Sequence, residues 1–197
     1  MVAQPTVGSI FAVVMAAGLS KRFGATKQLA TIDGVPLVRR ALDNAHLACG
    51  MNTALVLGHD WRAVSVACAP MRGFLIYNDD YAGGLGTSIA QATRSLRHVA
   101  QAIIVMLADQ PRITAEHLQA ICGAWSKDAD EIVATTFNGT HGPPVLFPRG
   151  CFDELAALEG DQGARQLLDS DRYRVTSIDF PDAAIDVDRQ EDLLTLT

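Results

Sequence analysis

The sequence lacks the features that mark a metal finger, a membrane protein or a nucleic-acid coat. Its four cysteines, Cys49, Cys68, Cys122 and Cys151, are scattered through 197 residues without a C-x-x-C pair. Metal-finger and thioredoxin-type readings are thereby excluded, and each cysteine reads as a small apolar residue in a reducing compartment. Long hydrophobic runs are missing too. The run from Ile10 to Leu19 is ten residues long, too short to span a bilayer, and no Lys or Arg precedes it as a secretory signal would require. The expectation is a cytoplasmic protein without a membrane partner. Positive charge is in deficit, with 16 basic against 22 acidic residues and a net charge of −6. That argues against a general nucleic-acid binder, although a single nucleotide needs only a local basic patch. There is no low-complexity segment, linker or internal repeat. With 49% hydrophobic and 19% charged residues, disorder, collagen and coiled coil are excluded. The first eight residues read as a flexible tail and residues 9–197 as one domain.

What is present is alternation. Strand-like apolar runs fall at Ile10–Met15, Thr53–Leu57, Phe74–Tyr77, Ala102–Leu107, Ile132–Thr136, Val145–Phe147 and Arg174–Ile178. Between them lie helical patterns marked by Val38, Ala41, Leu42, Ala45 and Ala48, by Ile89, Ala92, Leu96 and Val99, and by Leu118, Ile121, Cys122 and Trp125. Thr114 is placed to cap the last of these. Ile103 to Leu107 is apolar on both faces, as in a parallel strand covered by helices on each side. The expected fold is α/β, a doubly wound, mostly parallel sheet with helices on both faces. Ligands in such sheets bind beyond the carboxyl ends of the strands.

The unusual residues follow those strand ends. Ala16-Ala17-Gly18-Leu19-Ser20-Lys21-Arg22-Phe23-Gly24-Ala25-Thr26-Lys27-Gln28 has small residues where backbone could approach a ligand, then three cations and no acid. Exposed N–H groups with Arg and Lys suit a polyphosphate, though a basic surface loop would look similar. It is neither a Walker A loop nor Gly-x-Gly-x-x-Gly. Asp109, in Leu107-Ala108-Asp109-Gln110-Pro111, could hold Mg²⁺ between phosphates or simply start a turn before proline. Asp186-Val187-Asp188, read as a strand, puts two acids on one face that a cation or solvent must relieve. They lie within residues 179–192, where six acids stand against Arg189 alone, which also suits a solvated acidic face. Asn78 to Ser88 is glycine-rich and enters a helix, fitting a ribose, a phosphate or an ordinary cap. Gly160-Asp161-Gln162-Gly163-Ala164-Arg165 reads as a turn that opens a helix with a cation in its first turn, where a bound anion would offset the helix dipole.

Together these segments resemble the molybdenum cofactor nucleotidyltransferases, and most closely their cytidylyltransferase branch. The resemblance rests on Ala16-Ala17-Gly18-x-Ser20-x-Arg22-x-Gly24-x-x-Lys27-Gln28, Gly58-His59, Asn78-x-x-Tyr81-x-x-Gly84-x-Gly86-Thr87-Ser88 and Leu107-Ala108-Asp109-Gln110-Pro111. It continues through Gly142-Pro143-Pro144-Val145-Leu146-Phe147, Gly160-Asp161-x-Gly163-Ala164-Arg165 and Asp186-x-Asp188-x-x-Glu191-Asp192-Leu193. The sequence departs from the pattern at Met15, Asp79, Leu85 and Arg189-Gln190, and no departure removes a charge.

The resemblance implies a nucleotide-diphospho-sugar-transferase-like fold and Mg²⁺-dependent transfer of CMP from CTP to the terminal phosphate of molybdopterin, releasing pyrophosphate. It implies that Arg22 and Lys27 clamp the triphosphate, and that Asp109 with Asp188 or Asp186 holds the metal. Ala16, Ala17, Gly18, Ser20, Gly58, Gly84 and Ser88 would line the nucleotide. Gly142, Pro143, Pro144, Gly160, Asp161, Gly163 and Arg165 would face the acceptor. A phosphate monoester is largely ionised at neutral pH, so the lack of a Ser-His-Asp or Cys-His constellation is no obstacle. Alternatives are GTP or another phosphorylated acceptor on the same fold, or a non-catalytic cofactor carrier that docks transiently on a molybdoenzyme through its acidic segment.

Overall fold

The computed structural model describes residues 9–161 and 163–196, and the tail expected over residues 1–8 lies outside them. In chain order the strands are β1 (Ser9–Met15), β2 (Thr31–Ile32), β3 (Val35–Pro36), β4 (Thr53–Leu57), β5 (Phe74–Tyr77), β6 (Ala100–Leu107), β7 (Glu131–Phe137), β8 (Thr140–Pro148) and β9 (Arg174–Asp179). The α-helices are α1 (Leu37–Cys49), α2 (Trp61–Ala67), α3 (Leu85–Leu96), α4 (Ala115–Ala124), α5 (Phe152–Ala156) and α6 (Arg165–Leu168). Seven strands form one sheet in the order β5-β4-β1-β6-β8-β7-β9, and β2 with β3 forms a separate hairpin. The pairs β1–β4, β1–β6, β4–β5 and β7–β9 are parallel, while β8 runs antiparallel to both neighbours. The expected α/β, mostly parallel sheet is therefore the one found.

Side-chain alternation along β1 explains why helices cover both faces. Phe11, Val13 and Met15 enter one core with Ile89, Leu96, Phe152 and Leu155 from α3 and α5. Ala12 and Val14 enter the other with Val38, Leu42, Val64, Leu118 and Ile121 from α1, α2 and α4. Burying both faces is what a strand without polar alternation requires. Thr114 caps α4 as expected, its side chain accepting the His117 N–H at 3.2 Å.

Two elements differ from the sequence reading. The apolar run Val145–Phe147 is only part of β8, which begins at Thr140 after a tight turn of Asn138 and Gly139, both left-handed. The segment Asp186-Val187-Asp188, read as a strand, has no regular secondary structure. No helix among the described residues is long and apolar enough to cross a membrane.

At the foot of the β7–β9 pair, the buried Glu131 accepts hydrogen bonds from the Ser126 backbone at 2.9 Å, the Ser126 hydroxyl, and Thr176 Oγ1 at 2.7 Å. Arg174 lies 3.3 Å away. The Ser126 and Thr176 hydroxyls, with a smaller contribution from Arg174, hold the Glu131 carboxyl down at about 2 against an ordinary 4.5. A depressed carboxyl stabilises the fold above its unfolded pKa and loses that contribution as the pH falls through the folded value. Stability should thus decline between about pH 4.5 and 2, and Glu131→Gln should flatten that part of the profile. The substitution should cost about 1–3 kcal/mol at neutral pH, measured by urea denaturation.

Candidate active site

The four loops that follow β1, β4, β5 and β6 meet at the carboxyl ends of those strands. The loop after β1 is fixed by its own side chains. Ser20, at φ +52, accepts the Lys27 N–H at 3.2 Å and donates to Gln28 Oε1 at 3.2 Å. Gln28 Nε2 then donates to the Gly18 carbonyl at 3.0 Å. Gln28, buried in the middle of a basic loop, closes that loop into a rigid arch. Its presence in the resemblance motif was the signal, but no role had been assigned to it.

A small third core carries the arch to the C-terminal segment. Phe23 from the arch, Ile32 from β2, Leu37 from α1 and Val187 pack together and are all nearly or fully buried. Gln190 Nε2 adds a bond to the Phe23 carbonyl at 3.3 Å. With Val187 buried, Asp186 and Asp188 on either side of it both face the same cavity. The expected alternation therefore holds without a regular strand. The Val187 N–H donates to the Asp109 carbonyl at 2.9 Å. Gln110 Nε2 spans from the end of β6 to the Ala183 carbonyl at 2.9 Å and the Pro143 carbonyl at 3.2 Å.

These links produce a charge cluster from three distant parts of the chain. Lys27 Nζ pairs with Asp109 Oδ2 and lies 3.3 Å from Asp188 Oδ1. Arg22 Nη1 meets Asp188 Oδ2 at 2.7 Å. Lys27 and Asp109 side chains are each 17% exposed, whereas Arg22 is 71% exposed. Burial opposes the Lys27 charge, but the facing carboxylates of Asp109 and then Asp188 outweigh it and raise its pKa above 10.5. Asp186 is raised by burial and then by repulsion from Asp188 and Asp109. Asp109 Oδ1 is buried with no hydrogen-bond partner. Leaving an ionised oxygen without a partner is costly, and a cation or donor is the ordinary remedy.

The cluster floors a cavity of about 490 Å³. Its lining includes Ala17, Gly18, Ser20, Arg22, Lys27, Gly84, Ser88, Asp109, Asp161, Asp186 and Asp188 from the expected set. Phe23, Tyr81 and Leu85 also line it, although the sequence reading gave them no site role. Several expected residues lie elsewhere. Gly58 borders a neighbouring cavity of about 600 Å³ on the far side of Tyr81. Ala16 is fully buried in the sheet core. Gly142, Pro143 and Pro144 are absent from the lining because they belong to β8, where the Pro143 and Pro144 carbonyls accept bonds from Gln110 and Thr135. Gly160 and Gly163 do not line the cavity. Arg165 starts α6 as expected but points to Thr140 Oγ1 at 3.2 Å and Asp169 at 3.9 Å.

Gly84 joins the two glycine-rich segments. It sits at φ +109, where a Cβ would lie 2.6 Å from the Gly160 backbone, and the Gly86 N–H donates to the Gly160 carbonyl at 2.9 Å. An alanine there meets both an unfavourable φ and backbone atoms that have nowhere to go. Gly84→Ala should destabilise by about 1–3 kcal/mol and push the Gly160–Asp161 wall away from the cavity. Thermal denaturation with a nucleotide-binding titration checks both effects.

Among the described residues no three His, Cys, Asp or Glu side chains form a ready-made metal cage. The acidic residues instead have Lys27 between them. One or two carboxylates that leave room for phosphate oxygens match the donor set Mg²⁺ ordinarily takes, and the orphaned Asp109 Oδ1 fits such an ion.

Residues 12–175 match the family model described as a MobA-like NTP transferase domain. The chain belongs to this family. MobA-like NTP transferases are nucleotidyltransferases, and so is this chain. It is 27% identical over 191 residues to the molybdenum cofactor cytidylyltransferase of Escherichia coli strain K12, covering 96% of each protein. It is also 29% identical over 170 residues to the purine catabolism protein PucB of Bacillus subtilis strain 168, covering 82% of this chain and 81% of that one. A crystal structure of Rv0371c from Mycobacterium tuberculosis H37Rv in complex with manganese superimposes with a TM-score of 0.78 at 30% identity. That superposition covers 95% of this chain and 97% of the other.

Proposed function

We propose that this NTP transferase, one domain over residues 9–197, transfers CMP from CTP to the terminal phosphate of molybdopterin and releases pyrophosphate, with Mg²⁺ as its metal. The observation that carries the reading is the convergence of Lys27, Arg22, Asp109 and Asp188 in one cavity, with Asp109 Oδ1 left unpaired. The similarity to the E. coli cytidylyltransferase along nearly its whole length supports the choice of base and acceptor.

The charges explain why a divalent ion belongs to the reaction. The cavity lining carries four acids, Asp109, Asp161, Asp186 and Asp188, against three bases, Lys21, Arg22 and Lys27. A polyanion will not enter a net-negative pocket unless it brings cations with it. Asp109 and Asp188, with Asp186 beside them, would hold the Mg²⁺. When bound, the ion supplies neutralisation of the negative charge that gathers on the α-phosphate and on the departing pyrophosphate.

The chain's own residues do the rest. Arg22, exposed at the cavity mouth, closes over the outer phosphates. Lys27 exchanges a carboxylate partner for a phosphate oxygen, which keeps its ammonium paired throughout. The arch from Ala17 to Ser20 lies under the nucleoside, and Ser88, at the start of α3, faces it from the opposite wall. The acceptor monoester needs no general base, so the protein's contribution is in-line positioning and charge complementarity. Asp161 forms the acceptor side.

Pyrophosphate release with Mg²⁺, molybdenum-loaded molybdopterin and either CTP or GTP tests the reading. CTP should be turned over and GTP should not. Turnover with GTP alone moves the enzyme to the guanylyl branch. Tight molybdopterin binding without turnover of any nucleotide makes it a carrier. Nucleotide protection offers a second readout, since CTP at about 100 times its Kd should raise stability by about 2.7 kcal/mol.

A further inference from the structure

A third cavity, of about 420 Å³, is lined by Arg22, Phe23, Arg189, Gln190 and Glu191. Arg22 and Phe23 also line the nucleotide cavity, so the two share a wall. The charge of this third cavity differs from that of the other two. The nucleotide cavity has four acids against three bases, and the cavity beyond Tyr81 has Asp60 and Asp79 against Arg62. Here Arg22 and Arg189 stand against Glu191 alone, in a chain whose net charge is −6.

Arg189 lies in the acidic segment 179–192 and yet forms no ion pair among the described residues. Two neighbouring carboxylates are committed elsewhere. Asp188 takes Arg22 and Lys27, and Asp192 Oδ2 accepts the Asp188 and Arg189 backbone N–H groups at 2.8 and 2.7 Å. Gln190 Nε2 ties the same stretch to the Phe23 carbonyl at 3.3 Å. The backbone that carries Arg189 is thereby held in place while its guanidinium has no counter-ion. Arg189 and Gln190 are also the two residues at which this stretch departs from the nucleotidyltransferase pattern.

We propose that this third cavity binds inorganic pyrophosphate, the leaving group of nucleotidyl transfer, through the guanidinium groups of Arg189 and Arg22. The inference rests on nucleotidyl transfer alone, which releases pyrophosphate whichever base and acceptor the enzyme uses. Two guanidinium groups suit an anion with phosphate oxygens at both ends, because each presents a planar fork of donors. The only ring in the lining, Phe23, is buried in the small third core, so the cavity offers no aromatic face for a base. Arg22 in the shared wall lets pyrophosphate pass from the nucleotide cavity without parting from a cation. Glu191 repels the anion and limits how tightly it is held.

The test is isothermal titration of the full chain with inorganic pyrophosphate and Mg²⁺, without CTP or molybdopterin. Arg189→Gln should weaken pyrophosphate binding roughly tenfold, and Arg189→Lys should restore part of the loss. Glu191→Gln should tighten binding, because the opposing charge is gone. Orthophosphate should bind the wild type more weakly than pyrophosphate, since it cannot span both guanidinium groups. CMP should bind Arg189→Gln and the wild type alike, because Arg189 is not part of the nucleotide cavity.

Arg189 is exposed, so the variants should keep the thermal midpoint of the wild type. A folded Arg189→Gln that binds pyrophosphate as tightly as the wild type would overturn the proposal. So would an equal loss of CTP and pyrophosphate affinity, which would make Arg189 a contact of the substrate's outer phosphates. Pyrophosphate is titrated here without nucleotide or acceptor, so a failure leaves the choice of CTP and molybdopterin untouched. Turnover with GTP in place of CTP, in turn, leaves this site untouched.

Discussion

Asp109→Asn should reduce pyrophosphate release by roughly 10²–10³-fold or more while the protein stays folded. The substitution keeps the side chain's volume and one carbonyl oxygen but removes the charge facing Lys27 and the partnerless Oδ1. Two consequences separate on measurement. The requirement for Mg²⁺ should shift to much higher concentration, because Asp188 and Asp186 remain without their partner just beyond the end of β6. Nucleotide binding without metal should change little or even improve, since one of the four cavity acids is gone and repulsion toward phosphates falls with it. Full activity for Asp109→Asn would sink the metal role. Lost activity with an unchanged metal requirement would mean that Asp109 acts only by holding Lys27.

The second large effect is expected from Lys27→Met, which preserves the aliphatic stem and deletes the ammonium. A charge-assisted contact to phosphate is worth about 1.5–3 kcal/mol, so CTP affinity should fall roughly tenfold to a hundredfold in an isothermal titration. The fold should also suffer, because Asp109 and Asp188 then face each other with only Arg22 to offset them. The pH dependence has a definite sign. Lys27 has a folded pKa raised above 10.5, so its ion pairs stabilise the protein at neutral pH, and that contribution fades as the pH climbs through the folded value. The variant should lose this alkaline limb. Unchanged CTP affinity in Lys27→Met would leave the lysine as a structural counter-ion and remove it from the nucleotide site.

The inner strands β1, β4 and β6 were legible because each is a run of apolar, often β-branched residues that burial on both faces satisfies, while the edge strands β5 and β9 are only partly buried. The two-residue strands β2 and β3 were not. Periodicity has nothing to act on over two residues, and only the left-handed Asp33 and Gly34 between them betray the turn. The full length of β8 was hidden by Pro143 and Pro144, which interrupt the expected alternation.

In the site, the charged residues could be named from sequence because chemistry restricts which types bind polyphosphate. Their partnerships could not, since Lys27 and Asp188 are 161 residues apart and meet only through Phe23 and Val187. The carboxamides of Gln28 and Gln110 were passed over for a related reason. An uncharged side chain reveals its importance only when the carbonyls it reaches are known.

The Phe23–Ile32–Leu37–Val187 core has a consequence for assembly. The cavity is assembled from segments far apart in sequence: its cations are Lys21, Arg22 and Lys27, and two of its acids are Asp186 and Asp188. A nascent chain that has emerged only as far as Ile185 has every strand of the sheet in hand but no place for Val187, and therefore no completed pocket. The cavity is thus completed only once residues 186–188 have been made, after the scaffold that supports it can already exist.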